Sequence, residues 1–220
     1  MQNGWKGAVK LRVNADAMTL YAVTDRTWVK DTTLMDQVKE ALEGGITFLQ
    51  LREKHLSKEE FIKEAREMKE LSKEYKVPFV INDNIEVALA VDADGVHIGQ
   101  DDMSVEEARK LLGEDKIIGV SAHNVEEAIK AQKGGADYLG VGAVCATSTK
   151  KDANVVSKEE IKKICHTVEI LVVAIKKENI KTLEGTDVDG VAVVSAIFAA
   201  KDIKKDTKQL RSLVEEMKQK

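Results

Sequence analysis

The sequence predicts a single α/β domain, a (β/α)8 barrel of the TIM-barrel type. Eight short apolar runs rich in Val and Ile recur along the chain and mostly lack polar alternation, which is typical of parallel strands buried on both faces. Amphipathic stretches with helical period separate the runs. The chain has 220 residues, enough for one such barrel. An open doubly wound sheet is the alternative, but no GxGxxG motif follows the first run, which argues against its dinucleotide-binding form.

The eight predicted strands are bounded by polar, charged or glycine residues. They span residues 19–25, 47–53, 78–83, 95–99, 117–122, 138–142, 171–175 and 190–195. Residues 1–18 fit the alternation poorly, so we interpret them as an N-terminal lead-in or an added segment. We assign residues 19–220 to the barrel and find no linker or second domain.

Helix start and stop signals recur between these runs. Leu34 begins an apolar face that ends at Gly44-Gly45, where glycines allow a helix to stop. Ser57 followed by Glu60 is typical of a capping box, in which each side chain bonds the other residue's backbone. The same spacing recurs at three further places: Ser104 with Glu107, Asn124 with Glu127, and Ser157 with Glu160. A last helix is predicted over about 204–219.

Composition narrows the functional classes. The formal net charge is −4, and Lys and Arg are scattered among Asp and Glu, so nucleic acid is an unexpected partner. No apolar run approaches the roughly 20 residues that cross a membrane, and the N-terminus lacks the apolar core of a secretion signal. A cytoplasmic location is therefore the expectation. Cys145 and Cys165 lack metal-binding spacing and are interpreted as reduced thiols. A homo-oligomer is left open.

Polar residues able to bind an anion or a metal follow most of the predicted strands. Because the active site of such a barrel lies in the loops after the carboxyl ends of the strands, we expect these clusters to converge on one rim. The clearest are Gln50-Leu51-Arg52-Glu53-Lys54, Asn82-Asp83, Gln100-Asp101-Asp102, Ser121-Ala122-His123 and the loop from Thr147 to Asp152.

The cations and carboxylates of these clusters indicate phosphate chemistry. Arg52 and Lys54 alternate with their neighbours at a strand end, so both can face the same ligand, although an ion pair with Glu53 is the structural alternative. Asp83 and Asp102 follow adjacent strands and suit Mg²⁺, although each alone could be a helix cap or turn residue.

Hydroxyl groups and histidines complete the candidate set. Ser121 and the run Thr147-Ser148-Thr149 supply donors, and Lys150 adds a cation. We interpret His97 as a packing residue or as one that supports a neighbouring ligand residue. For His123, a backbone-bonded turn role is favoured over an acid–base role.

With these residues in view, the chain resembles the thiamine phosphate synthase (thiamine-phosphate pyrophosphorylase) family. The resemblance covers about residues 20–200 in the family's order. It is carried by LYAVTDR (20–26), QLREK (50–54), FVIND (79–83), ADGVHIGQDD (93–102), IGVSAHN (118–124), ADYLGVG (136–142), TSTKKDA (147–153) and DGVAVVSAI (189–197).

The resemblance implies a reaction and a role for each matching residue. The family joins a hydroxymethylpyrimidine diphosphate to a thiazole phosphate, and thiamine phosphate and pyrophosphate are formed with Mg²⁺. The implied Mg²⁺ ligands are Asp83 and Asp102. The implied catalytic residues are Arg52, Lys54, Ser121 and Lys150. The pyrimidine diphosphate would be bound by these four with Gln50, Leu51, Glu53 and Asn82, and the thiazole phosphate by Thr147, Ser148, Thr149, Val194 and Ser195.

The sequence departs from the family after the seventh strand. The family has a glycine pair there, whose backbone binds the thiazole phosphate. This chain continues from Ile175 directly into Lys176-Lys177 and is about three residues shorter. Two alternatives to the synthase therefore stay open: a thiazole tautomerase-like isomerase, and a barrel that binds ligand with impaired catalysis.

Overall fold

The computed structural model describes residues 11–144, 155–176 and 179–219, and it confirms the predicted barrel. Eight parallel strands pair in sequence order, and the first pairs with the last to close the sheet. The strands are β1 (Leu20–Val23), β2 (Phe48–Leu51), β3 (Phe79–Asn82), β4 (Gly95–Ile98), β5 (Ile117–Ala122), β6 (Tyr138–Val141), β7 (Leu171–Ile175) and β8 (Gly190–Val193). They are mostly shorter than the apolar runs. Gln50, Asn82 and Ser121 lie at the carboxyl ends of strands, and the charged residues that follow lie in loops.

Helices cover the outside of the barrel, as the amphipathic stretches predict. They are α1 (Leu34–Gly44), α2 (Lys58–Glu74), α3 (Ile85–Ala90), α4 (Val105–Leu112), α5 (Val125–Gly134), α6 (Lys158–Thr167), α7 (Ser195–Phe198) and α8 (Ile203–Lys218). Between β7 and β8 the described residues form only a 3₁₀ helix, Ile180–Leu183. None of the helices in the described ranges is long and apolar enough to cross a membrane.

The capping signals are confirmed in part. Full capping boxes form at Ser57 and Ser104, and the sequence analysis missed a third at Thr33. Asn124 and Ser157 each accept the expected bond from the backbone three residues on, but no full box forms there. At Ser157 the reason is that the Glu160 carboxylate accepts from the Val125 backbone instead.

The core has two layers. The outer layer packs strands against helices, and the inner layer fills the barrel with side chains such as Tyr21, Phe48 and Tyr138. These three rings meet edge to face, with centroids 4.6–5.8 Å apart. Gly119 makes room for them, since a Cβ there would lie 2.0 Å from Cζ of Tyr138. These rings therefore fill the barrel at mid-height, below the rim.

Residues 11–18 lie at the amino-terminal end of the barrel. Val13 and Met18 join the inner layer there, and a 3₁₀ helix, Ala15–Met18, leads into β1. Arg12 and Arg109 both donate to Asp137, at 3.0 and 2.9 Å, and the Asp137 side chain is fully buried. The second oxygen of this carboxylate also accepts from the Ile118 backbone at 2.9 Å. One carboxylate thus ties the lead-in to α4 and β5.

Replacing Asp137 with Ala should lower the free energy of unfolding by about 3–5 kcal/mol, because two arginines lose their buried partner. The midpoint of thermal unfolding should fall by roughly 10 °C, measured by circular dichroism. The exposed residue Glu40 offers a control, and Glu40→Ala should change stability by less than about 0.5 kcal/mol. Equal midpoints for the two variants would contradict the role given to Asp137.

Candidate active site

A cavity of about 200 Å³ opens at the carboxyl ends of the strands, inside the rim. Five residues singled out from the sequence line it: Gln50, Arg52, Asn82, Ser121 and Val194. They come from β2, β3, β5 and the end of β8, so the closed sheet brings together residues that are remote in sequence.

The side chains of two residues of the QLREK segment, Leu51 and Glu53, point away from the cavity. Leu51 is fully buried in the outer core, because alternation along β2 turns its side chain away from Gln50 and Arg52. Glu53 accepts from Arg26 at 2.8 Å, and its side chain is only 4% exposed. Neither residue lines the cavity, and their inclusion among the substrate-binding residues stays a prediction. The predicted ion pair of Glu53 exists, but its partner is Arg26 and not Arg52 or Lys54.

A chain of buried hydrogen bonds forms the floor of this cavity. Gln50 donates to the Tyr21 hydroxyl, which shares a hydrogen bond of 2.8 Å with the Tyr138 hydroxyl. Nδ1 of His97 lies 3.1 Å from that hydroxyl, and Nε2 lies 3.0 Å from Oγ of Ser121. The chain thus connects two predicted ligand residues, Gln50 and Ser121, across the barrel.

The floor carries no charge near neutral pH. Burial lowers the pKa of His97 to about 4, against the smaller opposing effect of Asp102. Burial also raises the pKa of Tyr21 and of Tyr138. The His97 interpretation as a packing residue is confirmed by its 6% exposure. Sequence analysis missed the two tyrosines as site residues, although aromatic residues in predicted strands were the available signal.

Asp83 and Asp102 lie beside the cavity and interact with each other. Partial burial, followed by a hydrogen bond and repulsion from Asp102, raises the pKa of Asp83 to about 6, while Lys54 acts in the opposite direction. Oδ2 of Asp102 also accepts from the Gly99 backbone at 2.7 Å, so its turn role is real as well. Two carboxylates held together favour a shared proton or a cation.

The donor set fits Mg²⁺ better than a metal that needs an all-protein cage. Within the ranges that the structure describes, no group of three or more His, Cys, Asp or Glu side chains could hold a metal. Mg²⁺ is commonly bound by one or two carboxylates, with water and phosphate oxygens completing its coordination. Asp83 and Asp102 match that requirement.

The cations stand on the same side as this carboxylate pair. Arg52 is half-buried, and its backbone N–H donates to Thr24 at 2.9 Å, which fixes the start of the loop. Lys54 is exposed. Among the described residues neither side chain forms an ion pair, so both remain available to an anionic ligand. Thr147, Ser148, Thr149, Lys150 and Cys145 lie outside the described residues.

A second cavity, of about 630 Å³, opens at the ends of β7 and β8. Val194 and Ser195 line it, as the sequence predicts for the end of the last strand, and so do Asp25, Trp28 and Lys176. The two cavities adjoin, because Ile175, Ala192 and Val194 line both.

His123 is engaged within its own loop. Its backbone N–H donates to the Glu127 carboxylate at 2.8 Å, and Nδ1 lies 3.0 Å from the same oxygen. The imidazole thus pairs with a carboxylate and not with the backbone that the favoured turn role requires, and the choice between that role and an acid–base role stays a prediction. Cys165 is a free, half-buried thiol on α6, and burial raises its pKa to about 12.

The fold and the rim define a (β/α)8 enzyme of the phosphate-handling class, with cations and a carboxylate pair around one cavity. A family model described as "Thiamine monophosphate synthase" matches residues 20–197. The chain belongs to this family.

Curated relatives and solved structures agree with that assignment. The thiamine-phosphate synthase of Clostridium acetobutylicum is 50% identical over 198 residues, which cover 89% of this chain and 94% of that protein. The synthase of Clostridium tetani is 46% identical over 201 residues, covering 90% and 96%. A solved thiamine phosphate pyrophosphorylase from Pyrococcus furiosus superposes with a TM-score of 0.83 at 40% identity, covering 92% of this chain and 98% of that one.

Replacing Tyr138 with Phe should lower the free energy of unfolding by about 1–3 kcal/mol, because the Tyr21 hydroxyl and the His97 ring lose a buried partner. Urea unfolding followed by circular dichroism measures the difference. Tyr75→Phe is the matched control, since Tyr75 is only half-buried and should cost less than about 1 kcal/mol. A Tyr138 variant as stable as the control would show that the buried network does not stabilise the barrel.

Proposed function

We propose that the chain is a Mg²⁺-dependent transferase that couples 4-amino-2-methyl-5-hydroxymethylpyrimidine diphosphate with thiazole phosphate. The products are thiamine phosphate and pyrophosphate. The observation that carries the proposal is the Asp83–Asp102 pair beside the cavity that Arg52 lines, in a chain of the synthase family. Family membership and relatives that are 46–50% identical support the synthase, and nothing in them supports the tautomerase or the impaired barrel.

The first step breaks the bond between the pyrimidine methylene carbon and the diphosphate oxygen. The bonding electrons leave with the diphosphate, so negative charge grows on its oxygens. Arg52 and Lys54 are placed to bind that charge, and Lys150 is the third proposed cation. Mg²⁺ bound by Asp83 and Asp102 would supply further charge neutralisation.

The pyrimidine is proposed to occupy the smaller cavity. Gln50, Asn82 and Ser121 line it and offer amide and hydroxyl groups to a polar ring. The floor beneath the pyrimidine is uncharged. No carboxylate of the floor would therefore form an ion pair with the methylene cation and stabilise it against attack. The thiazole nitrogen then attacks the methylene carbon, and a new C–N bond forms without a protein nucleophile.

The second substrate is proposed to enter through the larger cavity. Val194 and Ser195 line that cavity. Because it adjoins the smaller cavity, the thiazole ring and the pyrimidine ring would lie next to each other. Thr147, Ser148 and Thr149 complete the proposed phosphate ligands. A cytoplasmic location and a homo-oligomer stay predictions.

Asp83→Asn should lower the rate of thiamine phosphate formation by about 100-fold or more, because it removes a proposed Mg²⁺ ligand. The assay measures product with both substrates over a range of Mg²⁺ concentrations, and the variant should need more Mg²⁺. Asp101→Asn is the matched control, since Asp101 is exposed beside Asp102. Absence of product from the unaltered protein with both substrates and Mg²⁺ would overturn the proposed activity.

A further inference from the structure

We propose that the Lys176 side chain binds the phosphate of the thiazole substrate, in place of the backbone donors that a glycine pair would supply. This inference rests on the proposed function and assigns a specific ligand within it. Lys176 is a residue of the shortened connection after β7.

The burial of Lys176 needs an explanation. It is only 6% exposed, and lysine is rarely so buried unless its charge is paired. Nζ donates to the Val144 carbonyl at 3.2 Å. An ammonium has three N–H groups, and no carboxylate among the described residues forms an ion pair with Lys176. The described surroundings therefore satisfy the side chain incompletely, and an anionic ligand would complete its partners.

The position of Lys176 matches such a ligand. The side chain lines the 630 Å³ cavity together with Ser195, whose hydroxyl is a second donor. That volume lies within the roughly 300–1,000 Å³ of small-molecule sites. Because the cavity shares a wall with the pyrimidine cavity, a ligand bound by its phosphate at Lys176 can extend its ring toward the reaction centre.

Backbone groups at the end of β7 already form hydrogen bonds within the protein. The Lys176 N–H donates to the Ala192 carbonyl at 3.1 Å, and the Val144 N–H donates to the Ile175 carbonyl at 3.0 Å. These bonds extend the strand pairing past the end of β7. The Lys176 backbone N–H is thus used within the sheet, which leaves the Lys176 ammonium as the donor that this residue can offer to an anion.

One carboxylate shares the cavity and limits where an anion can bind. Asp25 lines the same space, and Oδ1 accepts from the backbone and hydroxyl of Thr27 at 2.9 and 2.5 Å. Its negative charge disfavours a phosphate nearby. The phosphate is accordingly placed at the side of the cavity that Lys176 and Ser195 form.

The test compares two substrates in two variants. Lys176→Met keeps the length of the side chain but removes its charge, and Lys181→Met is the matched control at an exposed lysine of the following 3₁₀ helix. Each protein is assayed with thiazole phosphate and with the same thiazole bearing a free hydroxyl. Lys176→Met should raise the KM for thiazole phosphate by about 10- to 100-fold, the effect of losing a charge-assisted hydrogen bond. It should change kcat/KM for the alcohol by less than about threefold.

A merely structural role gives a different result, because it would lower kcat/KM for both thiazoles equally. Equal losses, or a KM for thiazole phosphate that stays within twofold, overturn the inference. Lys176→Arg should restore part of the preference for the phosphate. If Lys176→Met does not fold, Lys176→Gln is used in the same comparison.

Binding separates failure of the inference from failure of the proposed function. Calorimetry with thiazole phosphate alone should show binding to the unaltered protein and to Lys181→Met, and at least tenfold weaker binding to Lys176→Met. That result supports the role of Lys176 even if no thiamine phosphate is formed. Equal affinity in all three proteins, or no binding to the unaltered protein, overturns it.

Discussion

Pairing of β1 with β8 is the interaction on which the rest of the molecule depends. Leu20 and Val191 lie in register there and close a sheet that would otherwise leave two unpaired edges. Because all eight strands are parallel, closing the sheet brings their carboxyl ends together on one rim. Residues from β2, β3, β5 and β8 then meet around one cavity, although the chain separates them by as many as 144 positions, from Gln50 to Val194.

Charged and neutral side chains lie at different depths in the site. Charged groups such as Arg52, Asp83 and Asp102 stand on the rim, where water, a metal ion or a phosphate can solvate them. Directly below them the described floor consists of the neutral polar groups of Gln50, Tyr21, Tyr138 and His97, and at mid-height aromatic rings fill the barrel. A buried charge beneath the substrates would be costly. Instead, the charged side chains lie beside the proposed position of the diphosphate, where negative charge is proposed to develop.

Much of this could be predicted from the sequence, since strand runs, helix caps and strand-end residues follow local periodicity and the general geometry of barrels. Three features could not. Strands buried on both faces do not reveal which side points inward, so Tyr21 and Tyr138 were missed and the orientation of the Leu51 side chain toward the outer core was not indicated. Glu53 pairs with Arg26, a partner 27 positions away that local spacing does not indicate. Alternation also predicts a helix between β7 and β8, where the described residues form a 3₁₀ helix, Ile180–Leu183.

The hydrogen bonds of the floor can all be donated in one direction, from Gln50 toward Ser121. Gln50 donates to the Tyr21 hydroxyl at one end, and every partner in the floor is satisfied when Tyr21 donates to Tyr138 and Tyr138 donates to Nδ1 of His97. The neutral imidazole then carries its proton on Nε2 and donates to Ser121. Ser121 is left with its hydroxyl proton free to face the cavity. In this arrangement an amide on β2 is linked through three side chains to a serine on β5 that meets its ligand as a donor.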